Sequence, residues 1–299
     1  MKEYEITALL VGKVTRDRHY EKTHDNPDIG KLVTRPVHVF LVEGPDPDDT
    51  ILINAGCPSA ADGSQAWAPP EFDQPLPEGG GPQAIVDALH SVGKEPGDIR
   101  QLIMTHLHVE DAWNTSLFPD AQLVVQRDEL EAAFVPPSWQ RLLYPYHTAL
   151  EIQARKKPER CRLLWDDTEI ADGIQILKTP GFTLGTQTPV INTARGRVAI
   201  AGAGGTYANW FPNDGRFGYP LRPLTDTVNI PGNYVMHPWD VTHQMERIRC
   251  SADIVVPIHD ENIPKRMPQM WWACPSDDDM SRCKDFAVTP FTADQYLCD

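Results

Sequence analysis

The sequence predicts an α+β protein in which two β-sheets pack face to face with helices outside. Three observations carry this reading. Short apolar runs of strand character recur along the whole chain, and amphipathic runs of helical period fall between several of them. The second half then repeats the strand-then-helix order of the first, without a tight sequence repeat. The 28 prolines and 20 glycines among 299 residues exclude a coiled coil or a long helical bundle.

Each element follows in order. The opening MKEYEITALLVGKV alternates and reads as a first strand, with no export signal. Residues 36–42 (PVHVFLV) and 50–54 (TILIN) flank the turn sequence GPDPDD and read as a hairpin. Residues 84–92 (AIVDALHSV) have helical spacing, and 101–105 (QLIMT) and 122–125 (QLVV) read as buried strands. Residues 128–134 (DELEAAF) open with acidic side chains, which favour a helix start. Strands are expected at 162–165, 174–178, 189–192 and 198–201. An amphipathic helix at 241–250 and a last buried strand at 253–258 (DIVVPI) complete the set. One domain over 1–299 is expected, with long loops near 58–82 and 210–238 and an irregular tail at 264–299.

Composition narrows the function. Lys and Arg number 27 against 42 Asp and Glu, a net charge of −15 that repels phosphate backbones and anionic lipid. Neither nucleic acid nor membrane is expected as a partner. No run of about 18 apolar residues occurs. None of the six cysteines forms a CxxC pair, so reduced thiols in a cytoplasm are the expectation. The glycine stretches GGG (79–81) and GAGG (202–205) lack a P-loop lysine and read as turns.

The chemistry concentrates in residues 105–114, THLHVEDAWN. His106 and His108 follow the apolar run QLIM, and alternate residues at a strand end share one face, where two imidazoles can grip one ion. Glu110 and Asp111 follow at once and offer carboxylate oxygens. The alternative reading is a pair of half-exposed histidines capped by carboxylates.

THLHVEDAWN resembles the THxHxDHxxN motif of the metallo-β-lactamase-fold superfamily. Further landmarks are similar in the same order: ILINAG (51–56) to ILVDTG, TPGFTLGTQT (179–188) to TPGHTPGS, AIAGAG (199–204) to the strand-end GD, and VPIHD (256–260) to PGHD. FPDAQLVVQRDEL (118–130) is similar to the segment after the motif in lactonase-like members. The resemblance covers about residues 4–260 and implies a four-layer αββα sandwich with its site between the sheets at one edge.

The departures from the family's pattern set the expected chemistry. His106, His108 and His259 stand at ligand positions. Glu110 stands where the pattern has Asp, Asp111 and Phe182 where it has His, Ala203 where it has the bridging Asp, and Asn54 where it has a supporting Asp. The resemblance therefore implies one divalent ion, zinc first and iron or manganese next, held by His106, His108, His259 and a carboxylate from Asp111 or Glu110. The carboxylate left over, Glu110 or Asp111, would act as general base. A hydrolase of a small, rather apolar lactone or ester is expected. Phe182, Trp113, Tyr207, Trp210 and His237 are its candidate substrate contacts, with Asn209, Phe211 and Tyr234 nearby. Two alternatives stand beside it. One is a metal-free, catalytically silent subunit partnering an active homologous chain. The other is a mononuclear iron redox enzyme. A homo-oligomer or a hetero-oligomer with a related chain is expected.

Overall fold

A computed structural model describes residues 1–17, 30–66, 75–155, 157, 159–210, 235–261, 263, 266 and 267. The side chains of 64–66, 207–208 and 266–267 are outside that description. Among the described residues the first sheet has the order β13-β1-β2-β3-β5-β6-β7, with β4 also paired to β1. Its strands are β1 (Glu5–Asp17), β2 (Leu32–Glu43), β3 (Thr50–Ile53), β4 (Glu78–Gly79), β5 (Gln101–Ile103), β6 (Gln122–Gln126), β7 (Cys161–Leu164) and β13 (Arg266–Met267). The second sheet runs β12-β11-β10-β9-β8. It contains β8 (Thr168–Ala171), β9 (Ile174–Lys178), β10 (Gln187–Thr193), β11 (Gly196–Ala201) and β12 (Ile254–Pro257).

Helices α1 (Ala60–Ala66), α2 (Gly81–His90), α3 (Val109–Ala112), α4 (Arg127–Phe134) and α5 (Tyr146–Ala154) belong to the first half. Helices α6 (Tyr207–Trp210) and α7 (Pro238–Ser251) belong to the second. The two-residue period of the strands sorts their side chains into two cores. Ile6, Phe40, Val42, Ile51, Ile53, Ile103 and Val124 point into the core shared with the second sheet and α7. Leu9, Val39, Leu41, Leu52, Leu102, Leu123 and Val125 point to the opposite core, against residues of α2, α3, α4 and α5. The result is the αββα sandwich the sequence implies. A bulge between Leu10 and Gly12 resets the register along β1.

The β2–β3 hairpin forms as expected, and β3, β5, β6 and β7 are mutually parallel across helical crossovers. In the second sheet β11 and β12 are parallel across α7. The carboxyl ends of β3, β5, β11 and β12 all lead into the site, where open α/β sheets place their ligands.

In the stretch read as a long loop near 58–82, the described residues contain α1, β4 paired to β1, and the start of α2, while 67–74 lie outside the described residues. Helix α5 escaped the sequence reading because it is weakly amphipathic, with buried Thr148, Ala149 and Ile152 beside exposed Tyr146 and Leu150, and β8 escaped it too. Residues 67–74, 211–234 and 268–299 lie outside the described residues, so the readings on Phe211, Tyr234 and most of the tail fall there. No helix among the described residues is long and apolar enough to cross a membrane.

Candidate metal centre

The site begins where β3 and β5 end. Asn54 takes a positive φ of 65°, a conformation that asparagine tolerates better than most side chains. Its Oδ1 accepts from the Thr105 backbone N–H (2.9 Å) and hydroxyl (3.0 Å), and its Nδ2 donates to Asp111 Oδ1 (3.2 Å). Asn54, where the resembled pattern has aspartate, is thus a donor to Asp111 and holds the start of the histidine motif. His108 caps α3, whose Val109 and Ala112 join the helix-side core. The helical period then turns Glu110 and Asp111 away from that core.

Five of the expected residues converge: His106, His108, Glu110, Asp111 and His259. All are buried. They form two overlapping ligand groups, His106–His108–Glu110 and Glu110–Asp111–His259, each with its donor atoms within 4.8 Å of one another. Of the set expected from sequence, His106, His108, Asp111 and His259, Asp111 Oδ2 lies 3.5 Å from His106 Nε2 and 3.2 Å from His259 Nε2, and Glu110 belongs to both groups.

The groups differ in how their atoms are used. His259 Nε2 lies 3.2 Å from Asp111 Oδ2, and its Nδ1 donates to the Pro36 carbonyl (3.0 Å). Burial alone would lower the pKa of His259, but the Asp111 carboxylate outweighs it and raises it. Burial alone would raise Asp111, but the charges on His259, His106 and Arg16 hold it below its ordinary value. Asp111 and His259 are therefore a satisfied ion pair. In the other group His106 Nε2, both ring nitrogens of His108 and Glu110 Oε2 are buried without a hydrogen-bond partner. Burial, helped by His106 and Arg16, pushes His108 well below its ordinary pKa and keeps the ring neutral. Imidazole nitrogens and a carboxylate oxygen left without hydrogen bonds in a dry interior are the donor set a divalent cation fits.

Two supports were not legible in the sequence. Arg16, from β1, places Nη1 3.3 Å from Glu110 Oε1. Glu129, from α4, is fully buried and accepts four hydrogen bonds. Oε1 takes the Leu107 N–H (2.8 Å) and the Tyr144 hydroxyl (3.2 Å). Oε2 takes the Thr183 hydroxyl (2.5 Å) and the Gly185 N–H (3.0 Å). Glu129 thus ties the backbone between the two histidines to the turn that carries Phe182. Only the acidic opening of DELEAAF hinted at it, and that signal reads equally as a helix start.

Phe182 stands edge-on to both rings, with centroids 5.2 Å from His106 and 5.2 Å from His108. Tyr144 packs edge-on against His108 from another direction at 4.9 Å. Glycines at 202 and 205 let the end of β11 press against the histidines. A Cβ at Gly202 would lie 2.8 Å from Thr105 Cβ, and one at Gly205 3.1 Å from His259 Cδ2. Ala203 is buried in the inter-sheet core.

The remaining expected contacts are placed elsewhere or outside the description. Trp113 packs on the helix-side core and stands edge-on to His147 at 4.4 Å. Trp210 is fully buried in the inter-sheet core, its indole N–H donating to the Gly204 carbonyl (2.6 Å). His237 is exposed, caps α7 and pairs with Asp240 at 3.1 Å. Asn209 Oδ1 accepts from the Thr206 N–H and hydroxyl. The Tyr207 side chain is outside the description.

No family model matches the chain. An N-acyl homoserine lactonase of Bacillus thuringiensis is 31% identical over 166 residues, 55% of this chain and 61% of that enzyme. The match thus spans about three fifths of the curated relative. A solved N-acyl homoserine lactone hydrolase, with N-hexanoyl-L-homoserine at its catalytic metal centre, superposes with a TM-score of 0.66 at 23% identity. The superposition covers 87% of this chain and 95% of that one. A probable metal-dependent hydrolase from Staphylococcus aureus superposes with a TM-score of 0.64 at 18% identity, covering 87% and 90%. The chain has the metallo-β-lactamase fold, and in sequence it is similar to N-acyl homoserine lactonases.

Proposed function

We propose that the chain is a metal-dependent hydrolase that opens a small, rather apolar lactone, using one divalent ion. The observation that carries this is the set of bare, buried donor atoms on His106, His108 and Glu110. These three residues would hold the ion, with zinc the best match to two imidazoles and a carboxylate. When bound, a divalent ion supplies Lewis acidity toward an acyl oxygen and a water acidified to near neutral pH. The chain's own groups do the rest. Asp111, the carboxylate outside this set, is held with Oδ2 3.2 Å from His259 Nε2 and would take the proton of the attacking water and pass it to the leaving alkoxide. Phe182 and Tyr144 wall the histidines with aromatic edges and favour an apolar substrate over a polyanion. The sequence relatives named above are lactonases, which supports the lactone class.

The test is hydrolysis of lactones of graded acyl length and of simple esters, by protein loaded with zinc, manganese or ferrous iron. Loaded protein is expected to open lactones, and His108→Ala to lose both its ion and at least about 100-fold in rate. A protein that holds its ion but cleaves no lactone or ester refutes the reading. A silent subunit is the second reading, favoured by Phe182 and Ala203 at two ligand positions of the resembled pattern. Its signature is a stable complex with a related chain and no bound ion.

A further inference from the structure

The two candidate ligand groups meet in one side chain, because Glu110 belongs to both. A carboxylate has two oxygens, and one of these is already engaged. Arg16 Nη1 lies 3.3 Å from Glu110 Oε1, while Oε2 is buried with no hydrogen-bond partner. The pair is well enclosed, with side-chain exposures of 15% for Arg16 and 3% for Glu110. A guanidinium is a fixed cation with five N–H donors and no acceptor.

We propose that Arg16 is a built-in cation that limits this centre to a single metal ion. Occupying Glu110 Oε1, it withholds that oxygen from the Glu110–Asp111–His259 group and leaves Oε2 to His106 and His108. Two further observations agree. The donor atoms of the five clustered residues that lack a hydrogen bond all lie in the His106–His108–Glu110 group, with His106 Nε2 3.5 Å from Asp111 Oδ2, whereas Asp111 and His259 are hydrogen-bonded to each other. Ala203 brings no side-chain oxygen to the turn after β11, so a second ion would have to rely on the oxygen that Arg16 holds. A second dication would also face a fixed positive charge, and like charges in a poorly screened interior repel strongly. Arg16 acts through a ligand and is a positioning residue. The inference rests on the metal-centre reading above.

The test titrates metal-free full-length protein with zinc and with cobalt(II), counting tightly held ions by elemental analysis and following cobalt absorption. Wild type, Arg16→Met and Arg16→Lys are compared, with circular dichroism confirming that each is folded. Wild type and Arg16→Lys are expected to hold about one ion per chain, and Arg16→Met about two, with a second cobalt spectrum appearing. One ion on a folded Arg16→Met overturns the proposal and leaves the metal centre standing. Two firmly held ions on wild type overturn the proposal even if Arg16→Met fails to fold. No ion on wild type or any folded variant overturns the metal-centre reading, and the proposal with it.

Discussion

Glu129→Gln exposes how much of this site is held by one buried carboxylate. In the native protein each oxygen takes one backbone N–H and one hydroxyl: Leu107 and Tyr144 on Oε1, Gly185 and Thr183 on Oε2. The amide has one oxygen and one NH2. Whichever way it is turned, one backbone N–H faces a donor. The hydroxyl on that side can rotate and accept, but the backbone N–H cannot. An unsatisfied buried donor costs about 1–3 kcal/mol, and the weaker bonds to a neutral carbonyl add about 1 kcal/mol more. The expected loss is therefore about 3 kcal/mol. With an unfolding entropy of ~2.1 cal/mol/K per residue, that lowers the melting temperature of a chain this long by about 5 °C. Tyr144→Phe removes a single bond and should cost about 1 kcal/mol. Because the two residues are in contact, the double mutant should lose less than the sum, by at least ~0.5 kcal/mol. The Leu107 N–H lies between the two histidines, so Glu129→Gln should also weaken metal affinity by about 10–100-fold. Urea unfolding of the metal-free protein, calorimetry and metal titration read these effects. A Glu129→Gln within 0.5 kcal/mol of wild type, or strict additivity with Tyr144→Phe, would refute the reasoning.

Two other perturbations are as specific. His38 is buried with Nδ1 3.3 Å from the Ile258 carbonyl, and burial lowers its pKa from 6.5 to about 4. The unfolded chain takes up this proton near pH 6.5 and the folded protein only near pH 4, so the stability this residue contributes falls as pH drops through that window. At 1.36 kcal/mol per unit the loss reaches about 3 kcal/mol at pH 4. Urea unfolding of metal-free wild type and His38→Gln between pH 7 and 4 should show the steeper decline in wild type, and equal slopes would count against it. Asn54→Asp should destabilise the protein by about 1–3 kcal/mol, since it replaces the donor to Asp111 Oδ1 with a second carboxylate 3.2 Å away. Thermal melts of Asn54→Asp at or above wild type would show that this bond is unimportant.

Much of the fold was legible because its signals are local. The hairpin across GPDPDD, the buried runs QLIMT and QLVV and the amphipathic stretch at 241–250 each carry their period within a few residues. The sequence reading was weakest where side-chain type and tertiary role part company. Trp210 stands beside the motif region and looks like a pocket wall, yet the core between the sheets and α7 absorbs it. His237 looks like a spare ligand, yet it caps α7 in solvent.

The sequence by itself determined which side chains leave the end of β5 together. His106, His108, Glu110 and Asp111 are neighbours along the chain, so a strand end followed by one helical turn brings them to one place in any fold that buries QLIM. Only the tertiary structure decided how those groups are used. His259 comes to Asp111 across 148 residues, Arg16 to Glu110 across 94, and Glu129 to the Thr183–Gly185 turn across more than fifty. Such pairings carry no local period or spacing. They exist because two sheets close over a shared core, and in that dry interior each carboxylate oxygen must find its own donor.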